Sequence, residues 1–260
     1  MTKNLKTKNF TLVLSGGGAL GIAHLGVLHD LEAKGITPQE IIGTSMDAII
    51  GACMAIGMRE KKIHQHIKNF AGVFNWIKFS FSGNAIVDNS KLEKIFDDIF
   101  QEKKMKETDI PLKLITTNLR NGHKKVFTSS DDIYIKDAVL ASMALPGVFE
   151  EHIIEKNIYA DGFLCENLGI NEANYEDILA VDVLGENSFG DMLPDNFFKT
   201  ANVLEMFERS MRILIYNQTQ THIQNSNKNI HLLEPDTKDY KTFHFHKVEE
   251  IRALGLGLFL

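Results

Sequence analysis

The run Phe10-Thr-Leu-Val-Leu-Ser15 is apolar over strand length, which predicts a strand buried on both faces. Gly16-Gly17-Gly18 ends it, and from about Ala19 to Ala33 apolar residues recur at helical spacing. A second unit follows. Glu40-Ile41-Ile42 predicts a short strand, Gly43-Thr44-Ser45 a tight turn, and Met46 to Gly57 a helix of small residues. Two successive strand–turn–helix units imply a parallel sheet covered by helices, and ligands gather beyond the carboxyl ends of such strands. Both turns can therefore face one site.

Further along, Ser90-Lys-Leu-Glu93 is a capping box opening a helix to about Phe100, and Leu112–Thr117 and Lys124–Phe127 predict strands. Asp131 or Asp132 is placed to cap the next helix, which Pro146 ends. Ile178–Val183 predicts a buried strand, Phe197 to about Gln224 a long helix, and Ile230–Leu233 and Val248–Leu254 the closing elements. No internal repeat, low-complexity tract or linker divides the chain. The expectation is a single α/β domain over residues 1–260, with a mostly parallel central sheet flanked by helices on both faces.

Composition narrows the function. With 260 residues and 44% apolar content the chain can bury a full core, while a formal charge of −6 and the lack of a long Lys/Arg run argue against nucleic-acid binding. The three lysines within Met1–Asn9 are not followed by a signal core, and no window reaches the roughly 18 apolar residues of a spanning helix. Cys53 and Cys165 have neither metal nor disulfide spacing, so they are expected to be free thiols in a reducing compartment. A cytoplasmic protein is expected, with peripheral contact at the inner membrane surface as the alternative placement.

Gly43-Thr44-Ser45-Met46-Asp47 lies where a strand meets a helix, so Ser45 would stand on a sharp turn with its hydroxyl above the sheet, as in a nucleophile elbow. The bland alternative is a helix start that Ser45 or Thr44 merely caps. Gly16, Gly17 and Gly18 supply unobstructed backbone N–H groups at a helix start, suited to an oxyanion. Gly16, Gly18 and Gly21 also fit a dinucleotide fingerprint. That reading wants an acidic residue at the end of the second strand, where this chain has Gly43-Thr44-Ser45 and Glu40 comes too early.

With both glycine motifs in this order, the chain resembles the patatin-like phospholipases, a family of lipid acyl hydrolases. Ala141-Ser142-Met143-Ala144-Leu145-Pro146-Gly147-Val148-Phe149 resembles the family's Ala-Ser-x-x-x-Pro-x-x-Phe block, and Tyr159-Ala160-Asp161-Gly162 its Asp-Gly segment. The four blocks span Leu14 to about Asn171. The resemblance implies a patatin-like fold and a Ser/Asp dyad, with Ser45 as nucleophile, Asp161 as general base, and Gly43, Met46, Asp47 and Gly162 as elbow and supporting positions. It implies hydrolysis of fatty-acyl esters of phospholipids or related lipids through an acyl-enzyme, with neither metal nor cofactor. A Ser45–Asp161–His triad using His222, His231, His244 or His246 remains open beside the dyad.

Three positions depart from the family pattern. Leu20 stands where Arg or Lys is usual, Asp47 where Gly is usual, and Phe163 where a small residue follows Asp-Gly. The first two shift local charge in the negative direction beside a reaction that creates an oxyanion. An anionic Asp47 is expected to slow catalysis, and a catalytically disabled lipid-binding or regulatory protein is the rival reading. Acyl transfer to an acceptor other than water is a third. Phe74, Trp76, Phe79 and Phe81 form an aromatic cluster that suits either a bilayer surface or core packing, and the tail Leu254–Leu260 suits core, partner or lipid contact.

Overall fold

The computed structural model describes residues 9–74, 89–190 and 200–259. The first predicted strand is β1 (Phe10–Leu14), and the turn after it enters a 3-10 segment, Gly18–Ala23, before α1 (His24–Ala33). Short 3-10 turns are common at helix starts, and this run of six residues is long for its kind. Next come β2 (Glu40–Thr44), α2 (Asp47–Ala55), α3 (Glu60–Phe74) and α4 (Asn89–Phe100). They are followed by β3 (Leu112–Asn118), β4 (His123–Phe127) and α5 (Ile135–Met143). The rest comprises β5 (His152–Ile154), β6 (Asn157–Asp161), β7 (Asp177–Val181), α6 (Thr200–Asn225), β8 (Asn229–Leu233) and α7 (Val248–Ala253).

All eight strands join one sheet in the order β5-β6-β3-β2-β1-β7-β8, with β4 also paired to β3. The pairs β1–β2, β1–β7, β2–β3 and β7–β8 are parallel, whereas β3–β4, β3–β6 and β5–β6 are antiparallel. Strand alternation divides the core between two faces. Leu12, Leu14, Leu114 and Val181 point to one side with α1 and α2, while Val13, Ile42, Ile115 and Ala180 point to the other, where Ile223 of α6 packs. This is the mostly parallel, helix-covered α/β sheet that the pattern predicts.

The helix cap expected at Asp131 or Asp132 is absent. Asp131 accepts the Thr128 N–H at 2.8 Å and Asp132 pairs with Lys104 at 2.8 Å, because α5 begins later, after Tyr134. The aromatic cluster at 74–81 lies outside the described side chains. In the tail, Phe259 is buried and the backbone at Gly255 and Leu256 packs on Gly26 of α1, whereas the Leu256 side chain is exposed and Leu260 lies outside the described residues. Cys53 and Cys165 are both free. Among the described residues no helix is long and apolar enough to cross a membrane.

Candidate active site

β2 delivers the chain to Ser45, whose φ of 62° places it in the left-handed region. A non-glycine residue there is uncommon and strained, so the surroundings must hold it. The buried Ser142 hydroxyl does so. It accepts the Ser45 N–H at 2.9 Å and donates to the Ile115 carbonyl at 2.7 Å, tying the turn to α5 and β3. Past the turn, Met46 is the first residue of the helix start and α2 runs back over the sheet, so Ser45 is left partly exposed at its rim.

Asp161 arrives from the opposite direction. On one edge of β3, Ile115 pairs with Thr44 of β2 and the next residue, Thr116, pairs with Asp161 of β6. The two strand ends therefore meet, and Ser45 Oγ donates to Asp161 Oδ2 at 2.5 Å. The other carboxylate oxygen, Oδ1, accepts the Phe163 N–H at 3.0 Å. Gly162 turns the chain where a Cβ would run into the Ile115 carbonyl. Burial pushes the Asp161 carboxyl up to about 7, against the lowering pull of the Phe163 and Ser45 hydrogen bonds. The carboxylate is thereby a usable base near neutral pH.

The glycine loop lies directly against this pair. A Cβ on Gly16 would come within 2.7 Å of Ser45 Cβ and of Asn167 Oδ1. Asn167 grips the loop at both polar groups of Gly16. Its carbonyl accepts the Gly16 N–H at 3.3 Å, and its side-chain amide donates to the Gly16 carbonyl at 3.0 Å. Of the three N–H groups expected to serve as oxyanion donors, that of Gly16 is thus engaged by Asn167. The N–H groups of Gly17 and Gly18 have no protein acceptor among the described residues. Gly18, partly exposed like Ser45, is held from behind where Thr242 accepts the Ala19 N–H at 2.8 Å.

Asp47 is removed from solvent rather than exposed at the reacting centre. It is wholly buried in the first turn of α2, with His24 Nε2 3.5 Å from its Oδ1. Burial, reinforced by the nearby Asp161, pushes its carboxyl well above the usual carboxylate range. That shift favours the neutral acid and so acts against the charge penalty expected of an anion at this position. Leu20 is buried in the main core, so the missing cation is replaced by packing. Phe163 packs partly against the same core.

The four histidines open to a triad sit elsewhere among described contacts. His222 lies 3.5 Å from Glu166, His231 meets the edge of Phe259, and His244 and His246 pack on each other. Glu40, the acidic residue of the dinucleotide alternative, is buried at the start of β2, where it takes hydrogen bonds from Thr11 and Asn174 and an ion pair with Lys113. That is the end of the strand remote from Ser45. Three supporting residues were not assigned roles from sequence: Ser142, Asn167 and His24. Ser142 lay inside the Ala-Ser block, which was a usable signal, whereas Asn167 and His24 are revealed only by their contacts.

Comparison with known proteins places this site in a family. The family model described as Patatin-like phospholipase matches residues 12–174, a stretch that contains the glycine loop, Ser45, Ser142, Asp161 and Asn167. Lysophospholipase NTE1 of Kluyveromyces lactis is 25% identical over 278 aligned positions, covering 98% of this chain and 19% of that protein. Its counterpart in Eremothecium gossypii is 28% identical over 273 positions, covering 94% of this chain and 17% of that protein. The chain thus spans about a fifth of the length of these curated relatives. Among solved structures, VipD from Legionella pneumophila aligns at 13% identity with a TM-score of 0.46, over 95% of this chain and 67% of that one. With the matched region covering more than half of the sequence, the chain belongs to the patatin-like phospholipase family.

Proposed function

We propose that this chain is a serine hydrolase of lipid acyl esters, with Ser45 as nucleophile, Asp161 as general base and the Gly17 and Gly18 N–H groups as oxyanion donors. The observation that carries the reading is the Ser45 Oγ to Asp161 Oδ2 hydrogen bond of 2.5 Å at a strained strand-to-helix turn. Asp161 takes the Ser45 proton as Oγ attacks the ester carbonyl carbon, and the carbonyl oxygen becomes an oxyanion beside the glycine loop. Collapse of the tetrahedral intermediate expels the alcohol half of the lipid, which leaves with the proton from Asp161. A water deprotonated by Asp161 then attacks the acyl-enzyme and releases the fatty acid, restoring Ser45.

The family and the names of the aligned relatives support a lysophospholipid or related monoacyl lipid as the substrate class. A single catalytic unit working at a membrane surface from the cytoplasm is part of the same proposal. The non-catalytic alternative drew its force from an anionic Asp47, and the burial of that residue weakens it. Incubation with a fluorophosphonate probe followed by peptide mass spectrometry tests the proposal. The adduct is expected on Ser45, and labelling elsewhere, or none in a folded sample, would overturn it.

A further inference from the structure

We propose that Asp47 and His24 form a buried positioning pair that sets the glycine loop against the nucleophile elbow, with the Asp47 side chain filling the space over Gly21. The pair joins the two helices that leave the two turns of the site. Asp47 opens α2, two residues after Ser45, and His24 opens α1, directly after the 3-10 segment that carries the glycine loop. Both side chains are fully buried.

The geometry is specific. A Cβ on Gly21 would overlap both oxygens of the Asp47 carboxyl, so that carboxyl occupies the volume a side chain at position 21 would take. His24 Nε2 lies 3.0 Å from the carbonyl oxygen of Ser15 and 3.5 Å from Asp47 Oδ1. A carbonyl only accepts, so Nε2 carries the hydrogen and Nδ1 is bare. The Ser15 carbonyl belongs to the peptide that leads into Gly16. His24 therefore holds the entrance of the glycine loop, while the Asp47 carboxyl stands beside the His24 ring and fills the space at Gly21.

The pair is also an anomaly that calls for a role. His24 Nδ1 and both Asp47 carboxyl oxygens lack a hydrogen-bond partner among the described residues, a cost that a purely structural core would avoid by using apolar side chains. Burial lowers the His24 imidazole to about 4, so the ring is neutral near pH 7, and burial also pushes the Asp47 carboxyl upward. The close packing of the two side chains, with Asp47 over Gly21 and His24 on the Ser15 carbonyl, fixes the spacing of the two helices behind the glycine loop.

The kinetic part of this inference rests on the proposed dyad, so the test includes one readout that does not. In Asp47→Ala, kcat on an acyl ester is expected to fall about tenfold with KM within about twofold, because misplaced oxyanion donors cost the transition state rather than binding. Asp47→Asn, which keeps the shape, should recover kcat to within about threefold of the parent. Gly21→Ala combined with Asp47→Ala should recover part of the loss, since the new methyl refills the emptied volume. An Asp47→Ala enzyme as fast as the parent, or Asp47→Asn as slow as Asp47→Ala, would overturn the proposal. Independently of substrate, the ring-nitrogen NMR signals of His24 should show the Nε2–H form in the parent and move in Asp47→Ala. Unmoved signals reject the pair. If Asp47→Ala does not fold, the Asp47→Asn and double-variant results decide. Hydrolysis that persists in Ser45→Ala would reject the dyad alone, leaving the NMR result to judge the pair.

Discussion

Thr44, the last residue of β2, and Asp161, the last of β6, lie opposite consecutive residues of β3, Ile115 and Thr116. One strand runs parallel to β3 and the other antiparallel, so their carboxyl ends converge on one point of its edge. The residue after Thr44 is Ser45, and its hydroxyl meets the Asp161 carboxylate there. Residues 116 positions apart are thus brought into hydrogen-bond contact by sheet register alone.

Ser45→Ala is expected to abolish ester hydrolysis with little change in the thermal transition, since Ser45 sits at a partly exposed turn and the methyl removes only its hydroxyl. Asp161→Asn should lower kcat/KM by at least about 10², the scale of a positioned general base. Steady-state kinetics on a short acyl ester beside a melting curve checks both. A loss of similar size on replacing His222, His231, His244 or His246, with folding intact, would replace the dyad by a triad.

The rate should rise with pH through a midpoint near 7, because Asp161 must be ionised to act as a base and its carboxyl is raised to about 7. Stability carries the opposite sign. A carboxyl whose folded value lies above its unfolded one binds protons more tightly in the native state, so its contribution is full below about pH 4 and is lost as pH rises to about 7. Asp161→Asn should therefore melt higher than the parent at pH 8, with the gap shrinking toward pH 5. Calorimetry across this range measures it, and a parent more stable than the variant at pH 8 would contradict the assignment.

Ser142→Ala removes a hydroxyl that both accepts from Ser45 N–H and donates to Ile115. Two backbone groups, one buried and one part-buried, lose this partner, at a cost of about 1–3 kcal/mol. Denaturant unfolding should show that loss, and kcat should fall as the left-handed turn relaxes. Unchanged stability would mean that water or a neighbour replaces the hydroxyl.

Asn167→Ala should lower kcat about tenfold with little change in KM, because the side-chain amide holds the Gly16 carbonyl and orients the N–H groups that follow. Asn167→Asp provides the contrast. It keeps the size but loses the donor to the carbonyl, so it should be no better than alanine. Recovery in the aspartate variant would show that packing, rather than the hydrogen bond, holds the loop.

Much of this site was readable in advance where chemistry depends on local pattern. A buried apolar run, a glycine turn and a helix are adjacent in the chain, so Gly16–Gly18 and Ser45 fell at strand ends that the pattern itself located. The start of α5 was misplaced because Asp131 and Asp132 are good capping residues by type, yet a local turn to Thr128 and a distant partner, Lys104, claim their oxygens. Gly16 was grouped with the oxyanion donors because nothing in a glycine run tells one N–H from the next. Only the neighbour, Asn167, distinguishes them.

Asp47 draws the line most sharply. Its position two residues beyond the nucleophile follows from the order of residues, and so does the identity of the group placed there. Whether that group is an anion depends on water, and access to water is decided by how α2, the glycine-loop segment and His24 close around it. Local sequence therefore established the strands, the elbow, the glycine loop and the candidate nucleophile, since these rest on periodicity and turn chemistry over a few residues. Tertiary packing decided the pairing of Ser45 with Asp161, the grip of Asn167 on Gly16 and the burial of Asp47, because each depends on groups distant in the chain and on a burial that no short segment can create for itself.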